Sequence, residues 1–436
     1  MADVTNNSFE SCKLCNRFHS SNFAAHSPSG EILRTADGPD LIERPLRPYA
    51  TNVKGPPMTT TPQDLAGAVL TIDLVALKEN WKRLQARSGT AECGAAVKGD
   101  AYGLGIAPVA RALWEAGCRS YFVARPKEGE ELRALLPEAA IYVLDGLFAG
   151  QAEFYAKLNL CPALISIGEA REWAGFGRVY GRKLPCALHV DTGINRLGFS
   201  RAEFDALLND AFIMEGLNVS LLMSHLACAD DPPHPMNAQQ AEAFRAVQAR
   251  LPGVPASLAN SSGIFLGDSF THDLVRPGIA LYGGNPTPGA ANPMQAVAHL
   301  AGTVMQLRDV AAGETVGYGA TWTAERPSRV AILGAGYKDG IPRALSSRHP
   351  GGPAQVLING HRCPIIGRVS MDMMGVDVTG LPPASVTRGT RAELIGANIL
   401  IDEAASWAGT ISYELLTRLG SRYARLYTGL ESDGTA

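Results

Sequence analysis

Residues 94–124, GAAVKGDAYGLGIAPVARALWEAGCRSYFVA, contain a short apolar run, an amphipathic stretch and a second apolar run. Apolar runs of this length suit buried strands, and residues 106–116 repeat their apolar side chains at the helical period. A strand, a helix and another strand in this order form a βα unit of a parallel sheet. The stretch therefore predicts one unit of a parallel α/β fold.

The same unit recurs from residue 66 to about residue 300. Six further apolar runs follow, each separated from the next by polar or amphipathic sequence, at residues 140–144, 162–167, 186–190, 219–224, 256–259 and 274–282. Eight strands close a (β/α)8 barrel, whose chemistry lies at the C-terminal ends of the strands. An open, doubly wound sheet is the alternative that the number of runs leaves open.

After residue 300 the pattern changes to short apolar runs separated by Gly, Pro and Asn turns. Helical spacing returns only at residues 402–407 and 413–419. We therefore expect an N-terminal (β/α)8 TIM-like barrel over residues 66–300 and a C-terminal mostly-β domain over residues 301–436. The run near residues 68–74 is a candidate to pair with the second domain.

Composition excludes several classes of function. The 436 residues include 46% hydrophobic and 19% charged residues, and 39 basic residues balance 42 acidic ones to a formal charge of −3. That balance argues against a partner that is a nucleic acid or a membrane surface, and no window has the ~18 apolar residues of a membrane helix. Eight cysteines are too few for a disulfide scaffold in a chain of this length. A cytoplasmic globular protein is expected.

Residues 1–65 differ from the rest of the chain. They are rich in Ser, Asn, Pro and Thr and end in a run of structure breakers at residues 55–62, so we expect a disordered or loosely docked extension. Cys12 and Cys15 could form a zinc site with the histidines downstream. Structural zinc sites usually pair their ligands across a longer loop, which favours two reduced surface thiols, and no metal is expected.

Lys98 closes the first apolar run of the barrel. A lysine is costly to bury unless its charge is neutralised or used. At the C-terminal end of a strand it is well placed to lose its proton and form a Schiff base. The alternative is a lysine that simply extends into solvent, and the local pattern leaves both readings open.

Polar side chains also end the later barrel strands. A Gly-bounded loop after the fifth run contains Arg196, and His225 ends the sixth run. Hydroxyls at residues 260–263 and backbone N–H groups at residues 276–279 follow strands seven and eight, the usual phosphate position of this barrel. A lysine, a phosphate cradle and an arginine at one barrel mouth suggest pyridoxal phosphate, which needs an imine, a phosphate anchor and a partner for its ring nitrogen.

Eight motifs in order carry a family resemblance: VKGDAYG (97–103), DTGINRLG (191–198), NS (260–261), RPGI (276–279), YGAT (318–321), GYKDG (336–340), GRVSMD (367–372) and TISYE (410–414). With these motifs the chain resembles alanine racemase, a fold-type III pyridoxal-phosphate enzyme, over roughly residues 68–428. The resemblance implies a barrel followed by a β domain, in a head-to-tail homodimer with shared active sites.

The resemblance also implies residue roles. Lys98 matches the lysine that holds the cofactor as an internal aldimine and serves as one of two bases. Tyr318 matches the opposing tyrosine base, which the partner subunit delivers. Arg276 matches the arginine that faces the pyridine nitrogen, and His225 matches the imidazole beside the ring. The residues that match the phosphate cradle are Tyr102, Ser261, Gly278, Ile279 and Tyr413.

Three further positions match the substrate side of the family's site. Arg196 matches an arginine near the cofactor phenolic oxygen and the substrate carboxylate, Met371 contributes to the carboxylate site, and Tyr337 belongs to the entrance corridor. His189 departs from the family, which often has a lysine there that can be carbamylated. We expect His189 to stay neutral and to accept a hydrogen bond. Asp100, beside the cofactor lysine, receives no role.

The implied function is the pyridoxal-phosphate-dependent interconversion of L-alanine and D-alanine. Alternatives are a broad-specificity amino-acid or serine racemase on the same fold, a non-catalytic pyridoxal-phosphate carrier, and a decarboxylase of the same fold type. The carriers resemble the barrel alone, so a C-terminal domain with matching tyrosines argues against them. The arginine at the ring nitrogen suits proton exchange better than loss of a carboxylate, which disfavours the decarboxylase.

Overall fold

The computed structural model describes residues 61–346, 348–349 and 352–429. The extension expected at residues 1–65 lies almost wholly outside these residues, and so do Cys12 and Cys15, the candidate zinc ligands.

The first part of the chain alternates strands and helices: β1 (Ala68–Asp73), α1 (Leu74–Arg87), β2 (Glu92–Cys93), β3 (Ala95–Ala96), α2 (Lys98–Gly103), α3 (Ile106–Ala116), β4 (Ser120–Val123), α4 (Pro126–Leu135), β5 (Ala140–Val143), α5 (Ala152–Lys157), β6 (Cys161–Leu164), α6 (Ile167–Val179), β7 (Pro185–His189), α7 (Arg201–Asn209), α8 (Ala211–Met214), β8 (Asn218–Met223), α9 (Pro235–Gln248), β9 (Ala256–Ser257), α10 (Asp268–Thr271) and β10 (Leu274–Val275).

The second part is mostly strands: β11 (Ala298–Val310), β12 (Thr315–Val316), β13 (Trp322–Thr323), β14 (Ser328–Leu333), β15 (Arg348–His349), β16 (Gly352–Pro353), β17 (Gln355–Ile358), β18 (His361–Ile366), β19 (Met374–Asp377), β20 (Arg391–Ile395), α11 (Ile401–Trp407), α12 (Ser412–Thr417) and β21 (Ala424–Thr428). Short 3-10 helices lie at Gly263–Phe265, Ile279–Tyr282, Tyr318–Ala320, Tyr337–Asp339, Arg343–Ser346 and Pro383–Ser385.

The barrel prediction is confirmed. Strands β3 to β9 form a seven-stranded parallel sheet in sequence order, and β10 pairs in parallel with β2. Gly94 separates β2 from β3, and its N–H donates to the Val275 carbonyl at 3.0 Å between N and O. On its other side the eighth strand bonds to the seventh, because the Arg276 N–H donates to the Ala259 carbonyl (2.9 Å). The sheet therefore closes on itself, which excludes the open doubly wound alternative.

Gly94 permits this closure because there is no room for a side chain. A Cβ at this position would lie 2.8 Å from the Ser120 carbonyl oxygen and 2.9 Å from the Phe122 ring. The eighth strand is shorter than the apolar run at residues 274–282 predicts. It ends at Val275, and a 3-10 helix begins at Ile279, because Pro277 has no N–H to donate to a neighbouring strand.

The barrel helices pack on the strands through apolar stripes. In α1 the Asp73 carboxylate caps the first turn by accepting hydrogen bonds from the N–H groups of Val75 (2.9 Å) and Ala76 (3.0 Å). The helix then buries one face at helical spacing, with side chains that face the barrel: Leu74, Leu77, Trp81 and Leu84. Such apolar stripes face the core and cover the outer surface of the parallel sheet.

The C-terminal domain is mostly β, as predicted, and the strands of its ring pair antiparallel. Its main sheet runs in the order β14-β19-β18-β17-β20-β11, and β14 also pairs with β11, so these six strands form a closed ring. Strand β1 joins the same sheet, antiparallel to β11 and parallel to β21. The boundary expected at residue 300 lies within β11, which runs from Ala298 to Val310, and it stays a prediction.

Candidate active site

A cavity of about 860 Å3 lies at the C-terminal ends of the barrel strands. Its lining includes nine of the residues singled out from the sequence: Lys98, Tyr102, Arg196, His225, Ser261, Arg276, Gly278, Ile279 and Tyr413. These residues follow five different strands or come from α12, and they meet because the C-terminal ends of parallel strands share one end of the barrel. The closed fold, rather than sequence proximity, brings them together.

Lys98 is followed by a left-handed turn. From Gly99 to Tyr102 the backbone φ angles lie between 52° and 64°, with ψ between 34° and 53°. Four successive residues thus adopt the left-handed helical conformation, and three of them are not glycine. At about 1–2 kcal/mol for each L-residue, this conformation costs roughly 3–6 kcal/mol. Other contacts must hold the turn in place.

Hydrogen bonds hold both ends of this left-handed turn. At the Lys98 end, Glu128 Oε1 accepts from the Gly99 N–H at 2.6 Å between O and N. At the far end, Arg425 donates to the Gly103 carbonyl (2.8 Å) and the Tyr427 hydroxyl donates to the Leu104 carbonyl (3.0 Å). Strand β21 of the second domain therefore helps to shape the cavity of the first.

Asp100, for which sequence analysis predicts no role, caps the next helix. Its Oδ1 accepts from the Ile106 N–H at 2.7 Å, where α3 begins. Residues 99–102 and the start of α3 are thereby tied to each other. The carboxylate thus serves the backbone of the turn.

The environment of Lys98 favours the neutral amine. Burial lowers the pKa of its ammonium group, and the positive charge of Arg196 adds to this effect. Asp145 and Glu128 act in the opposite direction. A lysine with a lowered pKa is available as a base or nucleophile closer to neutral pH than an exposed lysine is.

Hydroxyl and backbone N–H groups converge at one end of the cavity. The Ser261 hydroxyl oxygen accepts from the N–H groups of Gly278 (2.9 Å) and Ala280 (3.2 Å), which leaves its own hydrogen free to donate. A Cβ on Gly278 would lie 2.2 Å from the Tyr102 hydroxyl, so only glycine fits there. The Tyr102 ring lies 6.1 Å from the Tyr413 ring, centroid to centroid. This cluster of small donors suits a phosphate group.

Arg276 is buried and lines the same cavity. Its guanidinium donates to the Ser257 carbonyl (2.8 Å) and to the Ser224 carbonyl (2.5 Å), both of which are neutral acceptors. Burial lowers the pKa of Arg276 to about 9, so the side chain is still charged at neutral pH. It is a fixed donor that does not readily give up a proton.

Two histidines near Arg276 are held neutral. Burial, with the charges of Arg276 and Arg196, lowers the pKa of His189 to about 4 and that of His225 well below its usual value. The direction agrees with the neutral His189 expected from the sequence. Neither ring nitrogen of His189 has a hydrogen-bond partner among the described residues, so the expected accepted hydrogen bond stays a prediction.

Tyr318, Met371 and Tyr337 do not line the Lys98 cavity. All three lie in the second domain and are exposed, Tyr318 by 72% of its surface. Tyr318 lines a separate cavity of about 790 Å3 together with Arg368 and Ser370. Within the described part of one chain, the tyrosine and the lysine therefore belong to different cavities.

Arg422 ties together the loops that contain Tyr337 and Met371. Its guanidinium binds both oxygens of the buried Asp339, at 2.7 and 2.9 Å, and Asp372 at 2.8 Å. Sequence reasoning missed this residue and Glu128. Glu128 stands at the third position of α4, where a capping glutamate is common, but its bond to Gly99 is a tertiary contact that no local pattern contains.

Comparison with known proteins now identifies the family. The model of the alanine racemase N-terminal domain matches residues 72–286, and that of the alanine racemase C-terminal domain matches residues 297–427. The chain belongs to the alanine racemase family. It is accordingly an isomerase. The two matched regions together contain all twelve site residues that the motifs singled out.

Individual alanine racemases resemble the chain over most of their length. The alanine racemase of Methylobacterium nodulans is 52% identical over 361 residues, which cover 83% of this chain and 96% of that protein. The catabolic alanine racemase of Mesorhizobium japonicum is 46% identical and covers 84% of this chain and 94% of its own length.

Solved alanine racemase structures share the fold. The structure of alanine racemase from Bartonella henselae with covalently bound pyridoxal phosphate is 40% identical, with a TM-score of 0.79, and covers 83% of this chain and 99% of that chain. The biosynthetic alanine racemase of Pseudomonas aeruginosa is 34% identical with a TM-score of 0.76, over 83% of this chain and 99% of that chain.

Among the described residues, no helix combines the length and the hydropathy needed to cross a bilayer. The same part of the chain contains no cluster of three or more His, Cys, Asp or Glu side chains placed to hold a metal ion.

Proposed function

We propose that the chain interconverts L-alanine and D-alanine with pyridoxal phosphate bound in the Lys98 cavity. The observation that carries the proposal is the lysine with a lowered pKa in a cavity that is also lined by the hydroxyl-bearing side chains of Tyr102 and Ser261. Relatives up to 52% identical are alanine racemases, and the Bartonella henselae structure contains covalently bound pyridoxal phosphate.

The residues present fit this cofactor. Lys98 would hold it covalently, and the phosphate would lie against Tyr102, Ser261, Gly278, Ile279 and Tyr413. The buried Arg276 would face the ring nitrogen and His225 would lie beside the ring. The close approach of Gly278 to Tyr102, which leaves no room for a Cβ, matches a cradle built for a bound group. When bound, the cofactor supplies the electron withdrawal that acidifies the α-hydrogen of an amino acid.

Racemisation requires a proton to leave one face of the α-carbon and another to arrive on the opposite face. Lys98 would exchange the proton at Nζ on one face, which its lowered pKa favours. Tyr318 would serve the other face through its hydroxyl, from the partner subunit of a head-to-tail homodimer. Its exposure and its separate cavity within one chain support delivery to a second copy.

The substrate contacts follow from the same arrangement. Arg196 lines the Lys98 cavity and would bind the substrate carboxylate, with Met371 of the second domain contributing to that site. Tyr337 would line the entrance. Five large apolar side chains of the second domain are exposed within one chain, which supports their burial against a partner subunit: Tyr318, Tyr337, Met371, Met373 and Ile411.

The proposed compartment is the cytoplasm. The six cysteines in the described part of the chain are all free thiols, and five of them are buried. Free thiols are typical of a reducing compartment.

The test is enantiomer conversion by the purified, cofactor-loaded protein with L-alanine, L-serine and L-lysine in parallel. We expect D-alanine to form much faster than D-serine or D-lysine, and Lys98→Ala to abolish the conversion because it removes both the attachment point and one base. Comparable rates with all three substrates would establish the broad-specificity racemase instead. Cofactor binding without conversion of any substrate would refute the proposal in favour of a carrier or a decarboxylase.

A further inference from the structure

Glu128 joins the first turn of α4 to the residue after Lys98. One carboxylate oxygen accepts from the Gly99 N–H at 2.6 Å. The other accepts from the N–H groups of Ala124 (2.8 Å) and Arg125 (3.0 Å), between β4 and α4. One side chain therefore binds three backbone donors that come from two separate segments of the barrel.

The two ends of the left-handed turn are held by different parts of the molecule. Arg425 and Tyr427 of the second domain hold the end at Gly103 and Leu104. Glu128 holds the end next to Lys98. Because the left-handed conformation is unfavourable for L-residues, loss of the Glu128 bond should let the Lys98 end of the turn relax while the far end stays anchored.

Glu128 also shares the Lys98 cavity, so its charge acts on the amine directly. Its carboxylate raises the pKa of Lys98, against burial and against Arg196, which lower it. The other charged or titratable groups that face Lys98 are Asp145, Arg276 and His225. Glu128 is the one among these groups that also bonds to the backbone next to the lysine.

We propose that Glu128 is a positioning residue for Lys98: its bond to the Gly99 amide fixes the left-handed turn and thereby fixes where the lysine amine stands in the cavity. The inference rests on the proposed function, in which Lys98 is the reacting amine. The competing explanation is that Glu128 only caps α4 through Ala124 and Arg125, in which case the position of the lysine would not depend on it.

The test compares the wild type with Glu128→Gln, Glu128→Asp and the control Glu131→Gln. Gln keeps the size of the side chain but loses the charge and presents at most one oxygen to the three donors. Asp keeps the charge but is one methylene shorter, so it cannot reach both segments. Glu131 lies on the exposed face of the same helix, and Glu131→Gln removes the same charge from α4.

The first measurement is amide hydrogen exchange of the peptide that covers the turn, in the cofactor-free protein. The second is kcat and KM for L-alanine in the loaded protein. We expect both Glu128 variants to exchange the turn amides faster and to lose about ten- to a hundredfold in kcat, the size of effect that follows a small misplacement of a reacting group. KM should stay within about twofold, because Arg196 and Met371 are unchanged. Glu131→Gln should match the wild type in both measurements.

A wild-type exchange rate or a wild-type kcat in both Glu128 variants would overturn the inference. A rise in KM with an unchanged kcat would also overturn the inference, because it would indicate that Glu128 contacts the substrate. Absence of racemisation by the wild type would refute the proposed function, and the exchange comparison would then still decide whether Glu128 holds the turn.

Discussion

Gly278→Ala is the sharpest test of the proposed phosphate cradle. The new Cβ would stand 2.2 Å from the Tyr102 hydroxyl, whereas ordinary contacts begin at 3.4 Å, so the hydroxyl must retreat by about 1.2 Å. The ring has little freedom to do so, because it packs 4.7 Å from the Tyr282 ring and 6.1 Å from the Tyr413 ring, centroid to centroid. A retreat of that size would break the proposed hydrogen bond between the hydroxyl and the phosphate of the cofactor.

The expected loss is that of one hydrogen bond to a charged group, about 1.5–3 kcal/mol. This corresponds to a roughly ten- to hundredfold higher Kd for pyridoxal phosphate. The assay is a titration of the cofactor-free protein with pyridoxal phosphate, followed by absorbance. Gly380→Ala is the control, since a Cβ there meets no described atom within 4 Å.

A double-mutant cycle distinguishes the loss of the Tyr102 hydrogen bond from a general loss of stability. Tyr102→Phe removes the hydroxyl, so it should raise the Kd for pyridoxal phosphate by a similar factor. In the double variant it should add little to the effect of Gly278→Ala, because both changes remove the same hydrogen bond. A wild-type Kd for Gly278→Ala would refute the cradle. Fully additive losses would show that the clash does not act through Tyr102.

Two further predictions concern residues around the cavity. Arg422→Ala removes two of the hydrogen bonds to the buried Asp339 carboxylate and leaves the one from the Gly336 N–H. We therefore expect a loss of roughly 1–3 kcal/mol in unfolding free energy by denaturant titration and a higher KM for alanine. Arg418→Ala, which breaks only an exposed pair with Glu414, should cost less than about 0.5 kcal/mol, and equal losses in the two variants would contradict the reasoning. His189 has a pKa of about 4 in the fold against 6.5 ordinarily, so the unfolded chain binds more protons between these values and stability should fall by up to about 3 kcal/mol as pH drops from 6.5 to 4. His189→Asn in the cofactor-free protein should flatten this decline, and an unchanged slope would argue against a neutral buried imidazole.

The sequence predicts the architecture because hydrophobic periodicity records which surfaces are buried. Eight apolar runs become eight strands, and residues at their C-terminal ends meet in one cavity. Lys98 and Arg276 could be placed there without coordinates, since closure of a barrel brings the ends of distant strands together. The separate cavity of Tyr318 agrees with the expectation that a second copy completes the site, which stays a proposal.

Other features depend on contacts that no local pattern contains. The left-handed conformation of Ala101 contradicts its own propensity and exists because Glu128, Arg425 and Tyr427 hold the turn from outside. Tertiary contacts override local preference at these positions, and they are the positions closest to the proposed chemistry.

The pairing of β1 bears on how the protein forms during synthesis. Ala68 pairs with Gly302, about 230 residues further along the chain, and Val69 pairs with Ala424, later still. At roughly 5–20 residues per second, a ribosome needs on the order of ten seconds or more to make the first of these partners. During that interval β1 has the apolar sequence AVLTID and an unsatisfied backbone edge, which makes it a natural target for chaperones. The barrel strands can therefore pair while β1, which precedes them in the chain, is still unpaired, and the β domain is completed only when β21 has left the ribosome.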